Sequence, residues 1–316
     1  MPKELFGEGH PFLPPAAMLS FEEIEEVVRA AVPLGVNRIK ITGGEPLLRP
    51  GVHALVARIA AIAGIEDIGL ITNGYHLPRL ASYLRKAGLR RITISLDTID
   101  PDTFARIAGR VHGLDSVLHG IDVAHASGFT PIKVNMVVQR GVNDREVLDM
   151  ARFARERGLE LRFIEYMDVG RRHDFDGSLV VPNRKIREQL DRTFGIEPLT
   201  ATRNDEVAET YAYRDGAGRV GFISSMSQPF CGSCTRLRLS ADGKAYRCLF
   251  SGIGLDLRAI LRDEKMTDEE RTGALSRELR TFWAGREDRY SELRGHDRPQ
   301  DGTRRNERVE MFRMGG

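Results

Sequence analysis

The segment SFEEIEEVVRAAVPLGVNRIKIT, residues Ser20–Thr42, places a helical pattern directly before a short strand pattern. Ser20 with Glu23 three residues later is the capping-box signature of a helix start. Apolar residues then recur at helical spacing until Gly35, and the β-branched run Val36–Thr42 follows. This helix-then-strand unit is the repeating element of the predicted fold.

The same unit recurs as far as Met167. The predicted strands are Val36–Thr42, Ile68–Thr72, Arg91–Asp97, Ile132–Val138 and Leu161–Met167. The predicted helices between them are Val52–Ala63, Leu80–Lys86, a helix that ends near Gly128, and Glu146–Arg157. Helices that alternate with short strands predict an α/β fold with a parallel sheet, either open or closed into a barrel.

This alternation lacks its first strand. The first helix has no strand before it, because Met1–Leu19 is rich in proline and glycine, a composition that predicts a loop. We therefore expect either that the fold starts unusually or that the chain starts late.

After about residue 180 the pattern changes, which indicates a second domain. We expect three parts: a loop leader at residues 1–19, a parallel α/β part at 20–180 and a C-terminal domain at 181–316. The predicted elements of the last part are a helix at Asn183–Phe194, hairpins of Glu209–Arg214 with Arg219–Ser224 and of Arg236–Ser240 with Lys244–Leu249, and a helix from Thr267.

Composition excludes several classes of protein. The 316 residues carry 47 Lys and Arg against 45 Asp and Glu, a net charge of +2, which gives no case for binding nucleic acid or a membrane. No uncharged apolar run approaches the ~18 residues of a membrane span, and Met1–Gly9 has no apolar core typical of a signal peptide. Three cysteines cannot form a disulfide scaffold. We expect a cytoplasmic protein.

The three cysteines form one local cluster, Cys231-Gly-Ser-Cys234 with Cys248 further on. Two thiolates two residues apart can bind one metal, and a hairpin can return a third. Three buried thiols that pack as small hydrophobes are the alternative. Zinc with a fourth ligand also remains open, but the chain has no zinc-like histidine pair, so we favour an iron–sulfur cluster. With three cysteine ligands one iron stays open to a substrate.

Candidate ligand-binding residues lie next to the cysteines and on the predicted strands. Arg236 and Arg238 would share a face of an extended strand and suit an anion such as phosphate. Gly43-Gly44-Glu45-Pro46 follows a strand, where glycines let a ligand approach the backbone, and strand carboxyl ends are where α/β folds bind ligands.

Polar side chains at alternate strand positions favour a ligand site at one end of the sheet, although each taken singly could be a strand-end residue that reaches solvent. The positions are Lys40, Lys133 with Asn135, Thr93 with Ser95 and Asp97, and Glu165 with Phe163 and Met167. Lysines in a sheet buried on both faces are costly unless a ligand pairs with them.

Taken in order, these motifs resemble a known family. They are Ile-Thr-Gly43-Gly44-Glu45-Pro46, Thr72-Asn73-Gly74, Ile94-Ser95-Leu96-Asp97, Lys133-Val-Asn135, Arg162-Phe-Ile-Glu165, Cys231-x2-Cys234-Thr-Arg236-Leu-Arg238, Cys248-Leu-Phe and a terminal Gly315-Gly316. The chain resembles the GTP 3',8-cyclases, lyases of the radical S-adenosylmethionine (SAM) superfamily that act in molybdenum cofactor biosynthesis. The resemblance implies an incomplete parallel (β/α)6 TIM-like barrel, here without its first strand, with a C-terminal iron–sulfur region.

The resemblance also implies roles for individual residues. Those for SAM are Gly44, Ser95 and Met167, and those for GTP are Lys40, Lys133, Arg236, Leu237 and Arg238. The implied ligands of a 4Fe-4S cluster facing the purine are Cys231, Cys234 and Cys248. Gly315 and Gly316 correspond to a tail that enters the active site and is required for turnover. In the family, a SAM-derived radical takes a hydrogen from the ribose C3' of GTP, and C8 is then attacked to give 3',8-cyclo-7,8-dihydro-GTP. An electron donor, a downstream pterin synthase and a homodimer are the implied partners.

One departure from the family is severe. The family's second 4Fe-4S cluster, the one that reduces SAM, needs a Cys-x3-Cys-x2-Cys motif with an aromatic residue inside it and an arginine upstream. None of these is present in the 316 residues. In relatives Met-Pro commonly follows the third of those cysteines, and this chain opens Met1-Pro2.

Three hypotheses follow. The first is a cyclase whose sequence starts too late, so that upstream in-frame DNA should encode the missing strand, cysteines and arginine. The second is a degenerate relative that binds GTP or a partner through the remaining cluster without radical chemistry. The third is a zinc-stabilised binding protein, which a brown, iron-bearing preparation would exclude. For the 316 residues as they stand we expect no cyclase turnover.

Overall fold

The predicted unit at Ser20–Thr42 is confirmed in a computed structural model, which describes residues 13–109, 112–169, 175–201, 203 and 206–293. The Ser20 hydroxyl accepts a hydrogen bond from the Glu23 N–H at 3.1 Å, and the Glu23 carboxylate accepts one from the Ser20 N–H at 2.7 Å. Both halves of the capping box are therefore present at the start of the first helix. Gly35, at a φ of 93° that favours glycine, turns the chain into the first strand.

Helices and strands alternate along the first half of the chain. The helices are α1 (Phe21–Ala31), α2 (Val52–Ala60), α3 (Leu77–Lys86), α4 (Pro101–Ala108), α5 (Leu114–Ala126), α6 (Val147–Glu156), α7 (Asn183–Phe194), α8 (Arg258–Leu261), α9 (Asp268–Ala284) and α10 (Tyr290–Leu293). The strands are β1 (Arg38–Ile41), β2 (Asp67–Thr72), β3 (Arg91–Ser95), β4 (Lys133–Val138), β5 (Glu160–Glu165), β6 (Ile196–Pro198), β7 (Glu209–Tyr213), β8 (Arg219–Ile223), β9 (Arg238–Leu239), β10 (Lys244–Tyr246) and β11 (Leu255–Asp256). Short 3-10 helices lie at Pro15–Ala17, Val32–Leu34, Pro46–Leu48, Asp144–Glu146, Gly177–Leu179 and Cys231–Ser233.

The main sheet has eight strands in the order β1-β2-β3-β4-β5-β8-β7-β6. Strands β1 to β5 are mutually parallel, and β8 joins β5 as a further parallel strand. Strands β7 and β6 then add antiparallel pairs. The five predicted parallel strands are thus confirmed, and the predicted hairpin β7–β8 continues their sheet. Within the described residues β1 pairs only with β2, so it forms one edge of the sheet.

The two faces of this sheet differ. On β4, Val134, Met136 and Val138 are fully buried, whereas Lys133 and Asn135 are partly exposed. The buried face packs against α2, α3, α5, α6 and α7 in the main hydrophobic core. Since successive strand residues point to opposite faces, the other face, called the open face below, carries Lys133, Asn135 and further polar side chains. It also carries the partly exposed Ile71, Val137 and Ile164.

A second, smaller core joins the first helix to the C-terminal part. Val27 of α1 and Leu275 and Leu279 of α9 are buried together with Leu19, next to the three-stranded sheet β11-β10-β9. Arg262 and Glu23 form an ion pair at 2.7 Å across the same contact. The C-terminal part is therefore fastened to the first helix of the parallel part.

The structure differs from the prediction in a few element bounds. The helix predicted to end near Gly128 is α5, which ends at Ala126, and a separate helix, α4, precedes it. The first strand of the second hairpin is only β9, two residues long. No helix in the described ranges has both the length and the apolar composition needed to cross a membrane.

Candidate functional site

The open face of the sheet carries two adjacent rows of polar residues. Thr93, Lys133 and Glu160 are register partners across β3, β4 and β5. In the next row along the strands, Ser95 pairs with Asn135, and Asn135 in turn pairs with Arg162. Because register partners in a parallel sheet point to the same face, these side chains form one polar surface.

Ion pairs organise part of this surface. The Lys133 ammonium lies 3.2 Å from Glu160 Oε1, and the Arg162 guanidinium lies 2.7 Å from the same oxygen. Burial alone would raise the pKa of Glu160, but the charges of Arg162 and Lys133 outweigh burial and lower it. Burial and the charge of Arg162 lower the pKa of Lys133. Arg91 and Asp67 form a second ion pair on this face. Lys133 therefore has a protein partner, contrary to the expectation that only a ligand would pair with it.

Lys40, the third residue of β1, has a different environment. It is solvent-accessible on the open face and makes no ion pair within the described part of the chain. Desolvation by burial, together with the positive charges of Arg162, Arg91 and Arg236, lowers the pKa of Lys40 to about 8. Lys40 is thus an amine held among like charges, which is an electrostatic setting that favours an anionic ligand.

Asn135 on β4 and Asp97, two residues beyond the end of β3, add further polar groups. The Oδ1 atom of Asn135 is buried and has no hydrogen-bond partner among the described residues. Burial raises the pKa of Asp97 to about 6, although the Val137 N–H donates to its carboxylate at 2.7 Å. Asn143 donates to the Asp97 carbonyl at 2.8 Å and fixes the backbone there. An unsatisfied buried acceptor is rare in a folded chain and indicates a site for a ligand donor.

The Gly-Gly-Glu-Pro loop is held by its own carboxylate. Glu45 accepts hydrogen bonds from the Leu47 N–H at 3.0 Å, the Thr72 hydroxyl at 2.8 Å and the Asn73 N–H at 2.7 Å. Gly43 has a φ of 142°, a value that L-residues rarely adopt. The loop is therefore tied to the end of β2, with Gly44 left exposed beyond β1.

The cysteine loop begins in the 3-10 helix Cys231–Ser233, and all three thiols are free and partly exposed. Burial would raise the pKa of Cys234, but Arg236, whose Nε donates to the sulfur at 3.3 Å, outweighs it and lowers the pKa. Burial raises the pKa of Cys248, and Cys231 adds to that rise, so the thiols are close enough to interact. Desolvation and then Arg236 lower the pKa of Arg238 to about 10, while Cys234 and Cys248 oppose that shift.

These residues fit a metal cluster in chemistry but are not preassembled for one. Three thiols beside guanidinium groups suit the thiolate ligands of an iron–sulfur cluster. In the described ranges, however, no group of three or more His, Cys, Asp or Glu side chains is arranged to hold a metal ion.

Helix α10 packs on the cysteine loop. The Gly232 N–H donates to Glu292 at 3.1 Å, and the Tyr290 ring stacks on Phe250 with centroids 4.5 Å apart. Tyr290 also donates to Asp168, just beyond β5, at 3.1 Å. Helix α10 therefore contacts both the cysteine loop and the segment just beyond β5.

Comparison with known proteins decides the family. Residues 6–154 match the family model of the radical SAM superfamily, and residues 159–292 match Molybdenum Cofactor Synthesis C. A GTP 3',8-cyclase of Acidothermus cellulolyticus is 48% identical over 305 residues, 96% of this chain and 83% of the relative. A GTP 3',8-cyclase of Staphylococcus haemolyticus is 41% identical over 317 residues, 100% of this chain and 91% of the relative. The chain belongs to the GTP 3',8-cyclase family. This membership confirms the resemblance and a role in molybdenum cofactor biosynthesis.

A solved structure supports the fold of this GTP 3',8-cyclase family member. Native anSMEcpe with bound AdoMet matches 81% of this chain and 73% of its own length with a TM-score of 0.53. Its sequence identity of 15% limits the likeness to the fold. The coarser prediction, an α/β parallel sheet of the radical SAM type, is confirmed.

The residues predicted to bind GTP lie in two places. Lys40 and Lys133 are on the open sheet face, and Arg236 of the cysteine loop is close enough to influence the pKa of Lys40. Arg236 precedes β9, so the prediction that it shares a strand face with Arg238 is wrong. Leu237 packs partly buried against the second core.

The residues predicted to contact SAM lie at the carboxyl edge of the sheet. Gly44, Ser95 and Met167 follow or end β1, β3 and β5 respectively. The prediction that Glu165 belongs to the polar site face needs correction. Glu165 pairs in register with Val138, on the buried face, because it is an odd number of residues from Arg162. Gly315 and Gly316 lie outside the described residues.

Four charged residues of the site were not predicted from the sequence. Arg91, Asp67 and Glu160 were not considered, and Arg162 was noted only as part of a motif. The period-2 spacing of Glu160, Arg162 and Ile164 on β5 was the available signal. It could not reveal that Glu160 meets Lys133, since that contact depends on the register between β4 and β5.

Proposed function

We propose that this chain binds GTP against the open, basic face of its parallel sheet and acts as a radical SAM lyase. The reaction is the conversion of GTP to 3',8-cyclo-7,8-dihydro-GTP in molybdenum cofactor biosynthesis. Support comes from the family membership and, above all, from Lys40, a cation with a pKa of about 8 that is surrounded by like charges.

The charge balance of this face suits a triphosphate. Four cations act on Lys40, and two carboxylates pair with members of this group, which leaves an excess of three positive charges among these seven side chains. The cations are Lys40, Arg91, Lys133, Arg162 and Arg236, and the carboxylates are Asp67 and Glu160. Multiple phosphate oxygens can accept from several such donors at once. Arg238 and the backbone beside Leu237 would hold the nucleoside end near the cysteines.

The remaining site residues would serve the cofactors. Cys231, Cys234 and Cys248 would hold one 4Fe-4S cluster, and Gly44, Ser95 and Met167 would contact SAM. When bound, SAM with its own reducing cluster supplies the radical chemistry of the family. Gly315 and Gly316 would close the site. Because no other cysteine occurs in the 316 residues, we propose that these residues alone do not turn over GTP, and that the lyase activity needs further ligands for the SAM-reducing cluster.

The wider proposal follows the family. The parallel strands would form an incomplete (β/α)6 TIM-like barrel over residues 20–180, preceded by the leader 1–19 and followed by a C-terminal iron–sulfur domain at 181–316. The protein would act in the cytoplasm, with an electron donor, a downstream pterin synthase and a homodimeric partner.

A second candidate is a relative that binds GTP or a partner protein through the C-terminal cluster without radical chemistry. The confinement of all cysteines to positions 231–248 favours this candidate. If this second candidate binds GTP, SAM cleavage distinguishes it from the first.

Calorimetric titration of GTP, GDP and guanosine into the purified chain tests the site. We expect affinity to fall in that order, and Lys40→Ala to weaken GTP binding by about tenfold, the loss of one charge-assisted hydrogen bond. Arg152→Ala is the matched control, because this exposed arginine pairs with Asp149 on α6. Equal GTP affinity in Lys40→Ala and Arg152→Ala would contradict the proposal.

A further inference from the structure

Glu165, the last residue of β5, is a completely buried carboxylate with four hydrogen-bond donors. Its Oε1 accepts from the Asn183 N–H at 2.8 Å and from the Ser227 hydroxyl at 2.5 Å. Its Oε2 accepts from the N–H groups of Met226 and Ser227, both at 2.8 Å. A buried carboxylate without such donors would be strongly unfavourable, so these hydrogen bonds stabilise Glu165 in its buried position. We call Glu165 and its four donors the anchor.

This anchor joins three parts of the fold at one point. Glu165 ends a central strand, and Asn183 is the first residue of α7. The Asn183 side chain donates to the Ser224 hydroxyl at 3.2 Å, and the Gln228 N–H closes a tight turn on the Ser224 carbonyl at 3.0 Å. The segment that leaves β8 is therefore fixed by backbone hydrogen bonds before it reaches the cysteines.

The fixed segment leads directly to the ligand-binding residues. Only three residues separate Ser227 from Cys231. Phe230 lies under the Arg236 guanidinium, 5.2 Å from ring centroid to Cζ, and Arg236 donates to the Cys234 sulfur at 3.3 Å. Arg236 is also close enough to lower the pKa of Lys40, so the cysteine loop connects the fixed segment to the open face of the sheet.

We propose that Glu165 is a positioning residue that fixes where, and in which direction, the chain leaves the sheet toward the cysteine loop. It does not touch the substrate, because its side chain is on the buried face. Its effect on GTP binding rests on the proposed function, whereas its effect on the geometry of the thiols does not.

The substitution Glu165→Gln tests this role with almost no change in volume. The amide nitrogen has hydrogens and cannot accept, so in either orientation at least one backbone N–H loses its acceptor. Ser227→Pro removes one of the same N–H donors from the exposed end of the anchor and leaves the buried carboxylate in place. Ser227→Ala is its matched control, since it keeps both backbone donors. Leu84→Ala, in the core under α3, controls for general loss of stability.

The readout is the alkylation rate of each cysteine in the reduced, metal-free chain, measured by mass spectrometry of its peptides. Cys248 lies further along the chain than the fixed segment, so its alkylation rate serves as the internal reference. We expect the ratio of the Cys231 rate to the Cys248 rate to rise severalfold in Glu165→Gln and Ser227→Pro. It should stay at the parent value in Ser227→Ala and Leu84→Ala. Affinity for GTP should fall by about tenfold in the first two variants.

The outcomes separate the two proposals. A ratio in Ser227→Pro equal to that in Ser227→Ala overturns the positioning role, and this holds even if Glu165→Gln does not fold. A change of the same size in Leu84→Ala overturns it too. If the ratio rises as expected but the parent chain does not bind GTP, the positioning role stands and the GTP site falls.

Discussion

Two lysines on the same sheet face show how the neighbours of a residue determine its role. Lys133 is paired with Glu160, which Arg162 also contacts. The charged groups that act most strongly on Lys40 are all positive, and its pKa falls to about 8. Lys133 therefore helps to build the surface, whereas Lys40 is the cation that gains most from an arriving phosphate.

This difference predicts a pH dependence of GTP binding. Lys40 has a folded pKa of about 8, below its ordinary value, so its positive charge is lost as pH rises through that value. Between about pH 7.5 and about pH 8.5 its protonated fraction falls about threefold, while the phosphates are already ionised. The Kd for GTP, measured by calorimetry, should rise about threefold over the same interval.

Lys40→Arg provides the control for that dependence. Arginine keeps its charge over this range, so the variant should bind GTP with a nearly constant Kd. A parent and a Lys40→Arg protein with the same slope would show that Lys40 is not the titrating group.

At the residue scale the sequence predicted positions better than partners. Alternation on β3 and β4 correctly placed Ser95 and Lys133 on a common face. Glu165 was assigned to the wrong surface, because a single strand shows two alternating sets but not which set meets the helices. Its buried hydrogen bonds come from Asn183 and Ser227, residues whose proximity depends on the tertiary fold.

At the scale of elements, capping boxes stabilise the first turns of two helices that pack on each other. Ser20 caps α1 and Thr267 caps α9, each with its glutamate three residues on. Both boxes were predicted, because capping depends on local sequence alone. The second hairpin was predicted too long, since β9 pairs with β10 through only two residues.

Removing the first cap should destabilise the protein without changing its fold. Ser20→Ala deprives the Glu23 N–H of its acceptor and should cost about 1 kcal/mol of unfolding free energy. For a chain of this size the Tm should drop by roughly 2 °C in a thermal scan. Ser276→Ala, inside α9, is the matched control and should keep or slightly raise the Tm, because alanine favours helix interiors. An equal drop in both variants would show that the cap contributes nothing specific.

At the scale of the whole molecule, the sheet crosses the boundary between the two predicted parts. Strand β8 lies after residue 180 yet pairs in parallel with β5, and its partner β7 extends the same sheet. The count of parallel strands before Met167 was correct, because alternation with helices is a local signal. The position of β8 was not predictable, since a hairpin pattern does not reveal which edge of which sheet it joins.

The cysteine count leads to the last prediction, about iron and SAM. A polypeptide of these 316 residues has only Cys231, Cys234 and Cys248 as thiolate ligands, all in one loop. Anaerobic reconstitution should therefore load about four iron atoms per chain, one 4Fe-4S cluster, and Cys234→Ala should lose most of them. Chromatography of reaction mixtures with SAM, GTP and a strong reductant should show neither deoxyadenosine nor cyclised GTP. About eight iron atoms per chain, or SAM cleavage by this polypeptide, would mean that other residues hold the reducing cluster, and the proposed inactivity would then be wrong.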